Sequence, residues 1–245
     1  MQTAMAPEAA ALAILATDGA SAPKRAFVHR LFTTIAPRYD WFNRLVSFGL
    51  DQGWRRRAVE VGAIGPGLRV LDVCAGTGDL ALLCAERVGG DGLVVGIDFN
   101  EPMLRGAVRK TDGLPARWLQ GDAHALPFAP ESFDRVTISF STRNLSDLDA
   151  GLREMVRVVK RGGRVMILET GRPSNRLVRA GYFLFLFTVA PLIGVLLTGR
   201  MWPFIYLARS VKRFLTPEQV VARLDACGTQ ARYVPLAGGL ASLYV

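Results

Sequence analysis

Four carboxylates and a glycine turn are the residues of this chain best suited to act together. Leu71-Asp72-Val73-Cys74-Ala75-Gly76-Thr77-Gly78-Asp79 reads as an apolar strand running into a glycine hinge and out into a helix. Bare backbone at Gly76 and Gly78 lets a ligand approach closely, and the amides that open the helix point outward. Gly76-Thr77-Gly78-Asp79-Leu80-Ala81 fits the loose dinucleotide pattern, which alone is a weak signal. Asp98 sharpens it. Twenty residues after Gly78 and at the end of the next apolar run, its carboxylate is placed to accept both ribose hydroxyls of an adenosine ligand. Gly121-Asp122-Ala123 follows a third strand, at the place where an adenine is gripped, and Ser139 ends a fourth strand at the same edge.

The sign of the charge separates two classes of adenosine ligand. Asp72 before the glycines and Asp79 after them would repel a pyrophosphate but suit the ammonium and sulfonium groups of S-adenosylmethionine. A dinucleotide domain also tends to begin with its glycine strand, whereas more than sixty residues precede the turn here.

These residues need a sheet to hold them. Strands are expected at Leu68 to Val73, Leu93 to Ile97, Arg117 to Gln120, Phe133 to Phe140 and Arg164 to Leu168. Helices run between them: one through Val88, one from Asn100 to Lys110 with Asn100 as cap, and one from Leu148 to Val159 before the turn Lys160-Arg161-Gly162-Gly163. Strands apolar on both faces and alternating with helices imply α/β architecture with a parallel sheet covered on both sides. Gln230 to Val234 and Ala241 to Val245, around a glycine turn, complete the sheet after a helix capped by Thr216.

With 245 residues, 50% of them hydrophobic and 21% charged, the chain is neither disordered nor collagen-like. Cys74, Cys84 and Cys227 form no metal or disulfide pattern and only His29 and His124 accompany them, so no metal site is expected. The net charge of +9 includes 26 Arg among 30 basic residues and favours anionic partners, but its dispersal argues against nucleic acid. Residues 1–22, Ala-rich and without Lys or Arg, lack the basic start of a secretory signal and read as a flexible tail of a cytoplasmic protein.

The sequence resembles the class I S-adenosylmethionine-dependent methyltransferases, and within them the UbiE/MenG/Coq5 family of quinone-biosynthesis C-methyltransferases. The resemblance rests on Ile35-Ala36-Pro37-Arg38-Tyr39-Asp40-Trp41-Phe42-Asn43 with Ser47-Phe48-Gly49, on Gly76-Thr77-Gly78-Asp79, and on Thr137-Ile138-Ser139-Phe140 leading to Arg143-Asn144. It departs from the family at Asp51-Gln52, where relatives often carry His-Arg, at Cys74-Ala75, and at Asp122, where some have Asn. It implies a Rossmann-like sheet, mostly parallel with a C-terminal antiparallel strand. Thr77, Asp98, Asp122, Ala123 and Ser139 are the implied contacts to S-adenosylmethionine, beside Asp72, Gly76 and Gly78 of the turn.

The reaction it implies is methylation of a ring carbon of a prenylated hydroquinone. Demethylmenaquinol is the leading acceptor and 2-methoxy-6-polyprenyl-benzoquinol a second. Ionising a phenol, whose unperturbed pKa is about 10, makes the adjacent carbon nucleophilic. Arg143 would supply the cation that holds the oxyanion and Asn144 would orient the hydroxyl. Tyr39, Asp40 and Asn43 would close over the substrate, with Asp40 or His29 as base. Two rivals are a methyltransferase of another lipophilic acceptor, such as a phospholipid amine, and a non-catalytic scaffold that binds the cofactor.

Ala180 to Gly199 is a run of twenty residues without charge. Pro191 and Gly194 are expected to break it into two short helices, and the strands beyond it return to the same sheet, so a spanning reading is rejected. The run is instead expected to form a greasy cap resting on an anionic membrane at its inner face, with a plain buried pair of core helices as the alternative. Arg172, Arg176, Arg179, Arg200, Arg209, Lys212 and Arg213 would lie near the headgroups. The expected organisation is a single domain over 23–245: a helical lid at 24–60, the cofactor-binding core at 67–170, the cap at 172–215 and the last helix and hairpin at 216–245. Oligomeric state stays open, a homo-oligomer included.

Overall fold

The computed structural model describes residues 22–245; the expected tail, apart from Ala22, lies outside the described residues. Three helices come first, α1 (Ala22–Ile35), α2 (Tyr39–Val46) and α3 (Leu50–Val61). The alternating part follows as β1 (Arg69–Val73), α4 (Asp79–Val88), β2 (Leu93–Asp98), α5 (Glu101–Lys110), β3 (Ala116–Gln120), β4 (Phe133–Ser139), α6 (Leu148–Val158) and β5 (Val159–Thr170). Then come α7 (Arg176–Thr198), α8 (Trp202–Arg213), α9 (Pro217–Ala226), β6 (Tyr233–Leu236) and β7 (Ala241–Tyr244).

The seven strands lie in the order β3-β2-β1-β4-β5-β7-β6, and β7 runs antiparallel to both its neighbours. Both faces of the sheet are apolar because both are covered. Leu71, Val73, Val136, Ile138 and Ile167 pack with Leu152 and Met155 of α6 and Leu224 of α9. Val70, Val94, Met166 and Leu168 face the other way, onto Ala58 and Val59 of α3 and Leu80 and Cys84 of α4. The parallel strands end at one edge, and the order reverses between β1 and β4, where open α/β sheets bind their ligands.

Two expectations change. The turn Lys160–Gly163 does not precede β5 but interrupts it, for the register with β4 jumps from Phe133↔Val159 to Arg135↔Arg164, with Gly162 at φ +73°. The apolar run forms one helix, α7, with Pro191 inside it, rather than two short ones. Leu186, Ala190, Pro191 and Gly194 form its buried stripe, facing α8, so burial of the proline ring offsets the missing backbone hydrogen bond. Gly194 is a contact point and not a breaker, since a Cβ there would lie 2.0 Å from Phe204 Cδ2. α7 is long and apolar enough to cross a membrane by length and composition.

Gly194→Ala tests that contact. Alanine is the better helix former by about 1 kcal/mol, but overpacking a filled core costs about 1–3 kcal/mol. The variant should therefore melt several degrees below the wild type, whereas Leu196→Ala, at an 87% exposed position, should not. An unchanged or higher melting temperature for Gly194→Ala would show that α7 and α8 are not in close contact.

Candidate active site

Two cavities meet at the carboxyl edge of the sheet. The first is walled by Cys74 to Thr77, Asp98, Gly121 to His124 and Ser139. Its floor is set by Asp98, which is 7% exposed and accepts the Gly76 N–H at Oδ2 and the Asn100 N–H at Oδ1, both at 2.8 Å. Burial pushes the Asp98 carboxyl up to about 6 against those bonds. Asp122 accepts the N–H of His124 at 3.0 Å and pairs with Arg25 at 2.8 Å. Burial acts upward on Asp122, but His124 and Arg25 outweigh it and hold the carboxyl below its ordinary value.

The second cavity is mostly apolar, with Leu31, Phe42, Val46, Trp54, Phe185, Leu186 and Phe204 in its walls. Phe32, Tyr39 and Asn144 line both cavities and form their junction. Local backbone makes this junction: Phe140, at φ +55°, turns the chain after β4 into the short 3-10 turn Thr142–Asn144. Cys74, at φ +54°, does the same after β1. Non-glycine residues in this region are strained, and both flank the site. Arg143 faces the second cavity, paired with the fully buried Glu169 and donating to the Phe140 carbonyl at 2.7 Å. Glu169 also accepts the Thr142 hydroxyl at 2.7 Å and the Thr170 N–H at 2.8 Å. Asn144 accepts from the Tyr206 hydroxyl at 3.3 Å, and its Nδ2, like Arg143 Nε, is buried without a partner. Burial raises the Tyr39 hydroxyl and pushes the Tyr206 hydroxyl up to about 12, so both stay neutral.

The family model of the ubiE/COQ5 methyltransferase family matches residues 20–245. The chain belongs to that family. A demethylmenaquinone methyltransferase of Desulfitobacterium hafniense is 40% identical over 94% of this chain and 92% of its own length. Another, of Thermus thermophilus, is 44% identical over 88% of this chain and 98% of its own. A ubiquinone/menaquinone biosynthesis C-methyltransferase of Stenotrophomonas maltophilia is 38% identical over 93% and 92%. Among solved structures, an S-adenosylmethionine-dependent methyltransferase from Aquifex aeolicus shares the fold with a TM-score of 0.57 at 20% identity, over 78% of this chain and 87% of that one. One from Thermotoga maritima has a TM-score of 0.61 at 17% identity, over 88% and 97%. The protein is thus an S-adenosylmethionine-dependent methyltransferase with the expected fold.

Of the residues expected to meet the cofactor, Gly76, Thr77, Asp98, Asp122, Ala123 and Ser139 line the first cavity of this ubiE/COQ5 methyltransferase. Asp72 and Gly78 do not. Asp72 is 1% exposed, accepts the Thr137 hydroxyl at 2.6 Å inside the sheet, and is pushed up to about 7 by burial. Gly78, at φ +84°, is required by packing, for a Cβ there would lie 2.5 Å from the Trp118 ring. The crevice is also less acidic than its composition suggests: Lys110 pairs with Asp79 at 2.5 Å and Arg25 with Asp122.

Of the expected catalytic residues, Tyr39 and Asn144 stand at the junction and Arg143 lines the second cavity with them, whereas Asp40 and His29 line neither cavity. Asp40 instead accepts the Thr77 hydroxyl at 2.5 Å and Lys110 Nζ at 3.0 Å, fastening α2 to the glycine turn. His29 is exposed and packs edge-on against Phe99. His124 bridges Asp122 and the Asp147 N–H in the cavity wall. Glu169, Lys110 and Arg55 were not anticipated. For Glu169 a signal existed, an acid at the end of an apolar strand like Asp98; the other two depend on contacts distant in sequence.

Asp98 is ionised above about pH 6 and loses acceptor capacity below it. Binding of S-adenosylhomocysteine should therefore weaken as pH falls through 6, and Asp98→Asn should bind weakly with a flatter profile. Calorimetry from pH 5 to 8 checks this; wild type and variant with the same profile would remove Asp98 from the site.

Proposed function

We propose that this methyltransferase carries the methyl group of S-adenosylmethionine from the first cavity to a ring carbon of a prenylated hydroquinone in the second, with demethylmenaquinol as the preferred acceptor. The observation that carries the reading is the junction itself: the cavity floored by the buried Asp98 carboxylate opens at Tyr39 and Asn144 into a more apolar one with Arg143 in its wall. The relatives named for demethylmenaquinone and ubiquinone/menaquinone methylation support the acceptor class.

Gly76, Thr77, Asp98, Asp122, Ala123 and Ser139 would hold the donor, whose chemistry when bound is that of an already electrophilic methyl group. The fit is in the donor set, since Asp98 keeps acceptor capacity beyond its two backbone bonds and Gly121 lies where a Cβ would meet Ile97 at 2.6 Å. The chain must then align the acceptor and make its carbon nucleophilic. Arg143 Nε and Asn144 Nδ2, buried and unpartnered, are the donors that favour an ionised ring hydroxyl; a cation within about 4–6 Å lowers such a pKa by about 1–3 units. Glu169 holds the guanidinium in place. Apolar walls exclude water and seat the prenyl chain.

A cytoplasmic enzyme with such an acceptor must meet it at the membrane's inner face. Leu177, Leu184, Leu192 and Leu196 of α7 are exposed, and so are Trp41, Leu45 and Phe48; the Phe48 ring lies 5.8 Å from that of Phe185, which joins the two patches. No Asp or Glu occurs between Thr170 and Glu218, while seven Arg and Lys do, each contributing about 1 kcal/mol near anionic lipid. This supports peripheral docking of α7 beside the mouth of the acceptor cavity.

Incubated with tritium-labelled S-adenosylmethionine, the purified protein should label a reduced short-chain demethylmenaquinol faster than the benzoquinol analogue; label in neither would contradict the assignment. Arg143→Gln combined with Glu169→Gln removes the pair without stranding a buried charge. It should lower kcat by about 10²-fold or more while S-adenosylhomocysteine affinity changes little; equal losses would contradict the role of Arg143. The protein should cosediment with phosphatidylglycerol vesicles at low salt and Leu184→Glu/Leu196→Glu should not, whereas a wild type left in the supernatant would refute docking.

A further inference from the structure

Two arginines line the donor cavity, and they are not equivalent. The Arg25 side chain is 53% exposed and paired with Asp122, at the end where the nucleobase is placed. The Arg55 side chain is 4% exposed and lies on α3, which packs against α4, the helix that the glycine turn opens. Its NH1 donates to Asp51 Oδ2 at 2.6 Å and to the Asp51 carbonyl at 3.2 Å. Its guanidinium carbon stands 5.1 Å from the centre of the Phe140 ring, on the strained residue that follows Ser139. Its Nε is buried without an acceptor. One ion pair and one ring thus hold a buried cation whose hydrogen-bonding capacity is only partly used, in a cavity wall shared with Gly76, Thr77, Asp79 and Ser139.

A buried guanidinium with spare donors calls for an anion, and a planar fork suits a carboxylate. If the nucleoside lies along Asp98 and Asp122, the remaining part of the donor reaches the glycine-turn end, and its only anionic group is the α-carboxylate of its amino-acid moiety. The geometry points to Arg55 as the anchor of that carboxylate, with Asp51 and Phe140 as positioning residues that fix the guanidinium. The inference deepens the donor reading above and rests on it. Asp79 on the same wall is paired with Lys110 and bonded by Gln52 at 3.2 Å, so Arg55 carries the recognition of the negative end.

Two ligands separate this role from a structural one. S-Adenosylhomocysteine has the amino-acid end, and 5′-methylthioadenosine keeps the same nucleoside and thioether without it. Calorimetry on the full chain should find that Arg55→Gln weakens the first roughly 10- to 100-fold, as expected for a lost charge-assisted hydrogen bond, and leaves the second within about twofold. Arg55→Lys should recover part of the loss. Asp51→Asn/Arg55→Gln keeps the buried pair neutral and should show the same split if the single variant folds poorly. Parallel losses for both ligands, or no loss for either, would overturn the proposal while leaving the donor reading intact. A wild type that binds neither ligand would sink both.

Discussion

Asp98 ends β2 with one carboxylate oxygen on the Gly76 N–H and the other on the Asn100 N–H, and the site is built outward from those two bonds. The first fixes the glycine turn in the conformation that leaves the cavity open. The second orients Asn100, whose side chain caps α5 at the Met103 N–H and also donates to the His29 carbonyl at 3.0 Å and Thr33 Oγ1 at 2.8 Å. Through Asn100, α1 is held against the same edge of the sheet. Thr77 and Lys110 fasten α2 by way of Asp40. The wall carrying Tyr39 is therefore tied to the floor carrying Asp98, although the two are far apart in sequence.

Charge is handled by pairing more than by excess. Arg25 with Asp122, Lys110 with Asp79, Arg55 with Asp51 and Arg143 with Glu169 surround the two cavities. Arg55 with Asp51 and Arg143 with Glu169 are buried, and removing one member of such a pair leaves an uncompensated charge at a cost of about 3–5 kcal/mol, so these two stiffen the walls against which ligands are aligned, while the more exposed Arg25–Asp122 and Lys110–Asp79 pairs contribute less. Selectivity for a cationic donor then rests on where each group points, and the simple surplus of acids read from the sequence is corrected by their partners.

Much of the sheet was legible because its signals are local. Leu71 to Asp79 carries strand, turn and helix start in one stretch, and Asn100-Glu101-Pro102 opens α5 as written. The unbroken α7 was not legible, because what rescues Pro191 and Gly194 is a second helix, with Phe204 seated against the bare Gly194 backbone. In the site, residues on strand ends such as Asp98 and Ser139 could be placed from spacing. Asp40 could not, since its carboxylate is drawn to Thr77 and Lys110 by tertiary contacts that no periodicity records.

On the proposed function, donor and acceptor meet at Tyr39 and Asn144, across the boundary of the two cavities. A crystal structure with S-adenosylhomocysteine and a short-chain menaquinone bound together tests it directly. The thioether sulfur is expected at that junction, facing the quinone ring, with the ribose on Asp98 and a ring oxygen within hydrogen-bond reach of Arg143 or Asn144. A sulfur turned toward Asp122, or a quinone bound outside the apolar cavity, would contradict it.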